Sequence, residues 1–365
     1  MAKKDEVKDE LKSRRRDNDK YSEADKKAKH WAREWLDALI WAAIAALILR
    51  TFFFGAYRIP TPSMEKTLLT GDFLLVSKMA YGARTPMTFS VPFTDIYMPG
   101  VNIPWFRIPG LEDIDRNEIV VFNYPIDVAP ISAKTNYIKR LVGMPGDRLE
   151  IRDKMLYVNG EQSEQFETLM YHYRVQVRDR VRLSRAKVRE AGAEIVQSGN
   201  GSVHIMNMTD EVARQMSGWP EIENVELFVL PDNFNEFSRR GFNFSKGFLN
   251  HDQMPEIIIP YQGQEITLTN DNWHIYQDII ERYERNSVQK TDETFFINGE
   301  ETNRYTIKKN YYFMMGDNRD DSEDSRFWGF VPDDHIVGKA SIIYFSWDHE
   351  RFAPRLGRML NLIHS

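Results

Sequence analysis

Hydrophobic and polar positions divide the chain sharply near residue 36. Residues 1–35 hold twelve Lys and Arg and nine Asp and Glu, and are almost free of large apolar groups before Trp31 and Trp35. So charged a segment cannot bury enough apolar surface to fold and is expected to be mobile or loosely helical. Residues 38–49 then form an unbroken apolar run, ALIWAAIAALIL, which Arg50 interrupts before TFFFGAY resumes it. Twelve helical residues cover only about 18 Å, short of a hydrocarbon core of roughly 30 Å. Residues 36–57 reach the needed length if Arg50 snorkels to the headgroups, with Trp35, Trp41 and Phe52 to Phe54 as interfacial aromatics. A buried core helix and a cleavable leader are the rival readings. The long charged leader and the missing A-x-A site favour an uncleaved anchor.

Beyond the anchor the pattern changes to short apolar runs separated by turn signals. Residues 73–76, 118–124, 137–142, 147–158, 310–315 and 338–347 read as strands. Asn159-Gly160 and Asn298-Gly299 read as hairpin turns. Residues 160–300 are more polar and less regular, with helices expected over 184–193 and 272–285 and loop over 231–254. The pattern therefore predicts a mainly β chain. One antiparallel β domain would run over 58–158 and resume over 305–350, interrupted by an inserted α+β domain over 159–304. A weakly amphipathic tail, 351–365, sets Leu356, Met359, Leu360 and Ile363 opposite arginines; it could cap the domain or touch lipid. The Pro-rich aromatic stretch 86–109 fits equally an ordinary loop or a segment resting on a bilayer.

Charge bears on topology and partners. The net charge of −6 gives no support for a nucleic-acid partner. The dense Lys and Arg before the anchor predict a cytoplasmic N-terminus and an exported remainder. With no cysteine, disulfides, thiolate metal sites and a cysteine nucleophile are all excluded. The eight histidines show no paired ligand spacing, so no metal or other cofactor is expected.

Four segments carry candidate chemistry. Ile59-Pro60-Thr61-Pro62-Ser63-Met64 puts a proline-flanked serine directly after the anchor. Gly71-Asp72-Phe73-Leu74-Leu75-Val76 is a turn entering a strand. In Tyr137-Ile138-Lys139-Arg140-Leu141-Val142-Gly143-Met144-Pro145-Gly146-Asp147, Lys139 interrupts a half-buried strand. Burial disfavours an ammonium, so such a lysine can become a neutral base for a serine hydroxyl. The fourth segment, residues 316–330 (GDNRDDSEDSRFWGF), predicts a tightly hydrogen-bonded loop. Its acidic spacing superficially suggests calcium, but the glycine and terminal glutamate of an EF-hand loop are absent.

In this order behind an N-terminal anchor, the four segments resemble the signature boxes of bacterial type I signal peptidases, a Ser–Lys dyad serine protease family. They match its serine box, its Gly-Asp-Phe box, its lysine box and its arginine-rich G-D-N-R-x-x-S-x-D-S-R-x-W-G box. The resemblance covers residues 36–82, 116–158 and 305–345, is faint over 231–310 and is not visible over 160–230. An autoproteolytic repressor-type Ser–Lys protease, or a silent membrane-tethered scaffold, would fit the remaining features less well.

The resemblance implies a membrane-bound endopeptidase on the extracytoplasmic side of the cell membrane, acting on exported preproteins after small, A-x-A-like residues. Ser63 would be the nucleophile and Lys139 the general base. Thr61 would supply an oxyanion donor together with the Ser63 N–H. Ser322 would orient Lys139, and Asp324 with Arg326 would shape the site. Ile59, Met64, Tyr137 and Ile138 would line shallow substrate pockets. Thr61 stands where many members have serine, and Pro62 where many have glycine.

Overall fold

The computed structural model describes residues 30–31, 33–87, 103–199, 202–237, 241–292 and 294–364. The chain separates into two compact units, residues 1–53 and 54–365. The described part of the first unit is dominated by one helix, Arg33–Phe53, long and apolar enough to cross a membrane. Its 21 residues give a length of about 31 Å. Leu49–Phe53, with Arg50, form a π-helical turn at its end. The expected span to residue 57 is too long, because Phe54–Arg58 is a β-strand paired with residues 73–77. Side-chain alternation wins there: Gly55 is buried between exposed neighbours, and a Cβ on it would meet the Tyr57 ring at 2.5 Å.

The second unit is mainly β. Its principal sheet is antiparallel, in the order Phe54–Arg58, Asp72–Ser77, Ile336–Asp348, Ile119–Asn123, Asn136–Gly143, Tyr311–Met315, Val331–Pro332. Every residue of Ile119–Asn123 is buried, so the sheet is covered on both faces. Ile119 and Val121 join Ile59, Leu68, Leu74 and Ile343. Val120 and Phe122, one step out of phase, join Leu141, Met314 and Trp328. The 13-residue strand Ile336–Asp348 has register shifts against both neighbours, and such bulges let a strand curl.

Residues 147–158, read as one strand, are instead the hairpin Arg148–Arg152 and Met155–Val158. Asp153 and Lys154 turn it with φ of 49° and 71°. No Asn-Gly signal marks this turn; the buried Lys154 ammonium lies 3.0 Å from Asp252 and ties it down. Asn159-Gly160 and Asn298-Gly299 do form left-handed turns. The helix expected over 184–193 is the shorter Arg185–Glu190, capped by Ser184. That expected over 272–285 is Trp273–Asp278 continued by the π-helical Ile279–Tyr283. Asp210–Ser217, capped by Thr209, is a further helix.

Residues 159–304 are organised around two cores. Leu169, Tyr171, Val175, Met206 and Ile222 belong to one, built on a four-stranded sheet in the order Ile222–Leu227, Met170–Val177, Val203–Thr209, Glu194–Ser198. Phe237, Phe244 and Ile279 share the other with Val142, Leu149, Ile307, Phe313 and Phe330.

Of the stretch 86–109, residues 88–102 lie outside the described residues. Its described arms pair, Ile103 N–H donating to Met87 O and Thr85 N–H to Phe106 O. Arg107 pins them through the carbonyls of Gly82, Asp333 and Ile336. The tail packs back onto the sheet by strand pairing. Ala353–Pro354 and Asn361–Leu362 add to Ile336–Asp348, Arg358 reaches inward, and Leu356 and Leu360 face out.

The inward target of Arg358 is Asp72, a fully buried carboxylate 2.6 Å away that also accepts from Ser346 Oγ (2.6 Å) and Leu69 N–H (2.9 Å). Removing one partner of a buried ion pair leaves the other desolvated and alone. Asp72→Ala is therefore expected to destabilise the chain by about 3 kcal/mol, read by denaturant unfolding in detergent. Arg358→Lys, which keeps the charge, should lose less.

Candidate active site

Ser63 lies in a single 3-10 turn, Pro62–Met64. Proline suits the start of such a turn, since its fixed φ costs nothing and its missing N–H would have been unpaired. Asn318 clamps the turn from outside. Its side-chain N–H donates to Pro62 O and its backbone N–H to Ser63 O, both at 3.1 Å. From within, Met64 is fully buried and its sulfur accepts the Asp317 N–H at 3.4 Å.

Lys139 sits on Asn136–Gly143, in register with Val120. Strand alternation sends it and Arg140 to opposite faces. Arg140 forms a bidentate pair with the buried Asp317, at 2.8 and 2.7 Å. Lys139 Nζ reaches Ser63 Oγ at 2.5 Å, and the two residues are 4% and 8% exposed. Among the described residues no carboxylate forms an ion pair with this ammonium. Burial accordingly pushes its pKa down to about 8; Asp324 opposes the shift and Arg326 adds to it. The result is a hydroxyl against an amine that becomes neutral near pH 8, which can take the hydroxyl proton and activate the oxygen as a nucleophile.

The loop 316–330 wraps this pair. A Cβ on Gly316 would lie 2.2 Å from Ser322 Oγ and 2.5 Å from the Ser63 carbonyl, so only glycine allows the approach. Asp324, wholly buried, accepts from Gly316 N–H (2.9 Å), Ser322 Oγ (2.8 Å), and Arg326 Nε and Nη2 (2.8 Å each). Against the cost of burial, these cationic and N–H partners hold the carboxyl below its usual range. No hydrogen bond joins Ser322 to Lys139 among the described residues; the Ser322 hydroxyl donates to the anionic Asp324 at 2.8 Å.

The remaining expected site residues fall into two groups. Ile59 and Met64 are buried in the core beneath the turn. Tyr137 and Ile138 are half-buried beside Lys139, whose Nζ lies 5.8 Å from the Tyr137 ring centroid. Tyr137 stacks on Tyr124 at 4.4 Å and meets Trp328 edge-on. Thr61, exposed at the N-cap of the turn, makes no capping bond with its hydroxyl.

Asn318 and Gly316 were visible in the sequence only as members of the polar loop. Their signal is positional, since they flank Asp317, whose pairing with Arg140 carries both to the Ser63 turn. Elsewhere, His251, Asp252 and Asp320 approach closely enough to suggest a metal cluster. The Lys154 ammonium already pairs with both carboxylates there.

Burial sets the Lys139 titration and the charges around it modulate it. Asp324 favours the ammonium and Arg326 opposes it, so Asp324→Asn should lower the Lys139 midpoint by about half a pH unit or more. The pH dependence of Lys139 acylation by an amine-directed reagent, followed by mass spectrometry, reads this; an unmoved midpoint would contradict the electrostatic assignment.

Comparison with known proteins follows the same residues. The family described as "Signal peptidase, peptidase S26" matches residues 32–253 and 257–347. The match runs through residues 160–230, where the motifs alone gave no resemblance. The signal peptidase I of Buchnera aphidicola subsp. Acyrthosiphon pisum (strain APS) is 27% identical over 328 residues, covering 88% of this chain and 78% of that protein. That of Aquifex aeolicus (strain VF5) is 25% identical, covering 91% of each. That of Rickettsia conorii (strain ATCC VR-613 / Malish 7) is 26% identical, covering 92% of this chain and 87% of that protein.

Proposed function

This chain belongs to the signal peptidase family, peptidase S26, and from that premise we propose that it is a membrane-anchored serine endopeptidase removing signal peptides from exported preproteins. The observation that carries the reading is the 2.5 Å contact between Ser63 Oγ and a buried Lys139 amine whose pKa is pushed down to about 8. At pH 7 about one molecule in ten then holds the amine neutral.

The neutral Lys139 Nζ takes the proton of Ser63 Oγ while the oxygen attacks the carbonyl of the scissile peptide bond. The tetrahedral oxyanion is held by the Ser63 N–H and the Thr61 hydroxyl. The first N–H groups of a helical turn have no partner within it, and the Thr61 hydroxyl makes no cap. The Lys139 ammonium returns the proton to the departing amine, leaving an acyl ester on Ser63. Water, deprotonated by Lys139, attacks the ester; Lys139 then gives its proton to Ser63 Oγ, and the cycle closes.

Ser322 acts on Lys139 through Asp324 in this scheme, and Arg326 keeps Asp324 ionised. Tyr137 and Ile138 offer the surface for side chains before the cut, with Ile59 and Met64 as the floor beneath. In keeping with the family, this surface would accept alanine-like residues at the first and third positions before the bond. The catalytic domain comprises residues 54–158 and 305–350, with 159–304 inserted. The helix Arg33–Phe53 anchors it, with the basic N-terminal segment in the cytoplasm and the site beyond the membrane.

Incubation of the full chain in detergent with a preprotein should release mature product. Ser63→Ala and Lys139→Met should each reduce kcat by at least about 10³-fold, and full activity in either variant would sink the dyad. Lys139→Met should at the same time raise stability at pH 7 by about 1–3 kcal/mol, because it removes a buried, unpaired cation. Thr61→Val should lower kcat by about 10²-fold with little change in KM.

A further inference from the structure

A groove of about 630 Å³ is lined by Pro62 and Asn318, which form and clamp the Ser63 turn, and by Arg185, Arg189 and residues of the strand Glu194–Ser198. None of Ile59, Tyr137, Ile138 or Lys139 lines it. A chain threaded past Ser63 with its pre-cleavage residues on Tyr137 and Ile138 has this groove available on its other side.

The strand is the outermost of its four-stranded sheet. Glu194, Ile195, Val196 and Ser198 line the groove. The pairing with Val203–Thr209 shifts register at Ile205/Met206 and leaves Val196 unpaired, a bulge that interrupts the side-chain alternation there. Gly199 N–H donates to Val203 O at 2.8 Å, and Ser198 pairs in register with His204. By the antiparallel alternation, the N–H and C=O of Ser198 therefore point to the open edge.

We propose that this edge binds the mature segment of the preprotein, the residues just after the scissile bond, as an added antiparallel or parallel strand. Lys66, Arg185 and Arg189 are balanced in the groove by Glu65, Glu194 and Glu350. Recognition is accordingly through backbone hydrogen bonds and tolerates varied sequences, as strand addition does. Five strand residues span about 17 Å, so the contact needs roughly five mature residues. It is also wired to the nucleophile: Asn207, on the partner strand, donates to Asn318 Oδ1 at 2.9 Å, and Asn318 holds the Ser63 carbonyl.

The inference rests on the peptidase reading, and one experiment separates the two. Two substrates share a signal peptide but end two or ten residues after the cut. Wild type in detergent should show a kcat/KM at least tenfold higher for the long one, carried by KM. Ser198→Pro, which blocks the outward N–H without removing a sheet bond, should bring that ratio close to one. In parallel, Ser63→Ala with a photo-crosslinking residue at the sixth mature position should give adducts within residues 185–198, which keeps the test alive if Ser198→Pro fails to fold. Equal wild-type efficiencies, or adducts only outside 185–198, would overturn the groove assignment alone. Cleavage of neither substrate would overturn the peptidase reading itself.

Discussion

The burial of one ammonium against one hydroxyl is the constraint on which the rest of the site depends. A lysine of ordinary pKa is a cation at neutral pH and cannot accept a proton. Lys139 is almost wholly buried, forms no ion pair among the described residues, and so titrates near pH 8. Burial without a counterion is unfavourable to folding. The surrounding sheet, covered on both faces, supplies the packing that tolerates it.

The neighbouring charges are arranged so as not to undo this. Of the carboxylates that act on it, Asp324 and Asp317 are each occupied by an arginine, Arg326 from the loop and Arg140 from the same strand, while Glu323 adds a smaller favourable charge. Were either carboxylate free, it would attract the ammonium and restore its charge. The arginines thus do more than brace the loop, because they reserve the acids for themselves. Gly316 then lets the loop press directly on the Ser63 carbonyl, so the loop fixes the Ser63 turn together with the charges around Lys139.

Much of this was legible in the sequence, but unevenly. Ser63, Lys139, Asp324 and Arg326 stand in spaced motifs, and the strands around them alternate clearly enough to be drawn within a residue or two. Ser322 shows the limit: its neighbourhood was readable, but not that its hydroxyl donates to Asp324 with no bond to Lys139, which depends on how close each group comes in the folded loop. The turn at Asp153-Lys154 was missed because a tertiary ion pair, not turn chemistry, holds it. The anchor was drawn four residues too long because apolar character continues into Phe54–Arg58, where pairing with residues 73–77 overrides helical continuity. Residues 160–230, silent in motifs, fold around their own core and reach the site through the Met170 N–H to Asp317 O bond, a contact no local pattern announces.

The central claim is that Lys139 itself is the neutral base, and the most direct measurement is its own titration. Lysine labelled at the ε-carbon, followed by NMR in the full chain with Lys139→Met used for assignment, reports that side chain alone. The account predicts a midpoint close to pH 8, coinciding with the alkaline-rising limb of kcat/KM. A Lys139 that stays charged to pH 10 while the enzyme is active at pH 8 would contradict it.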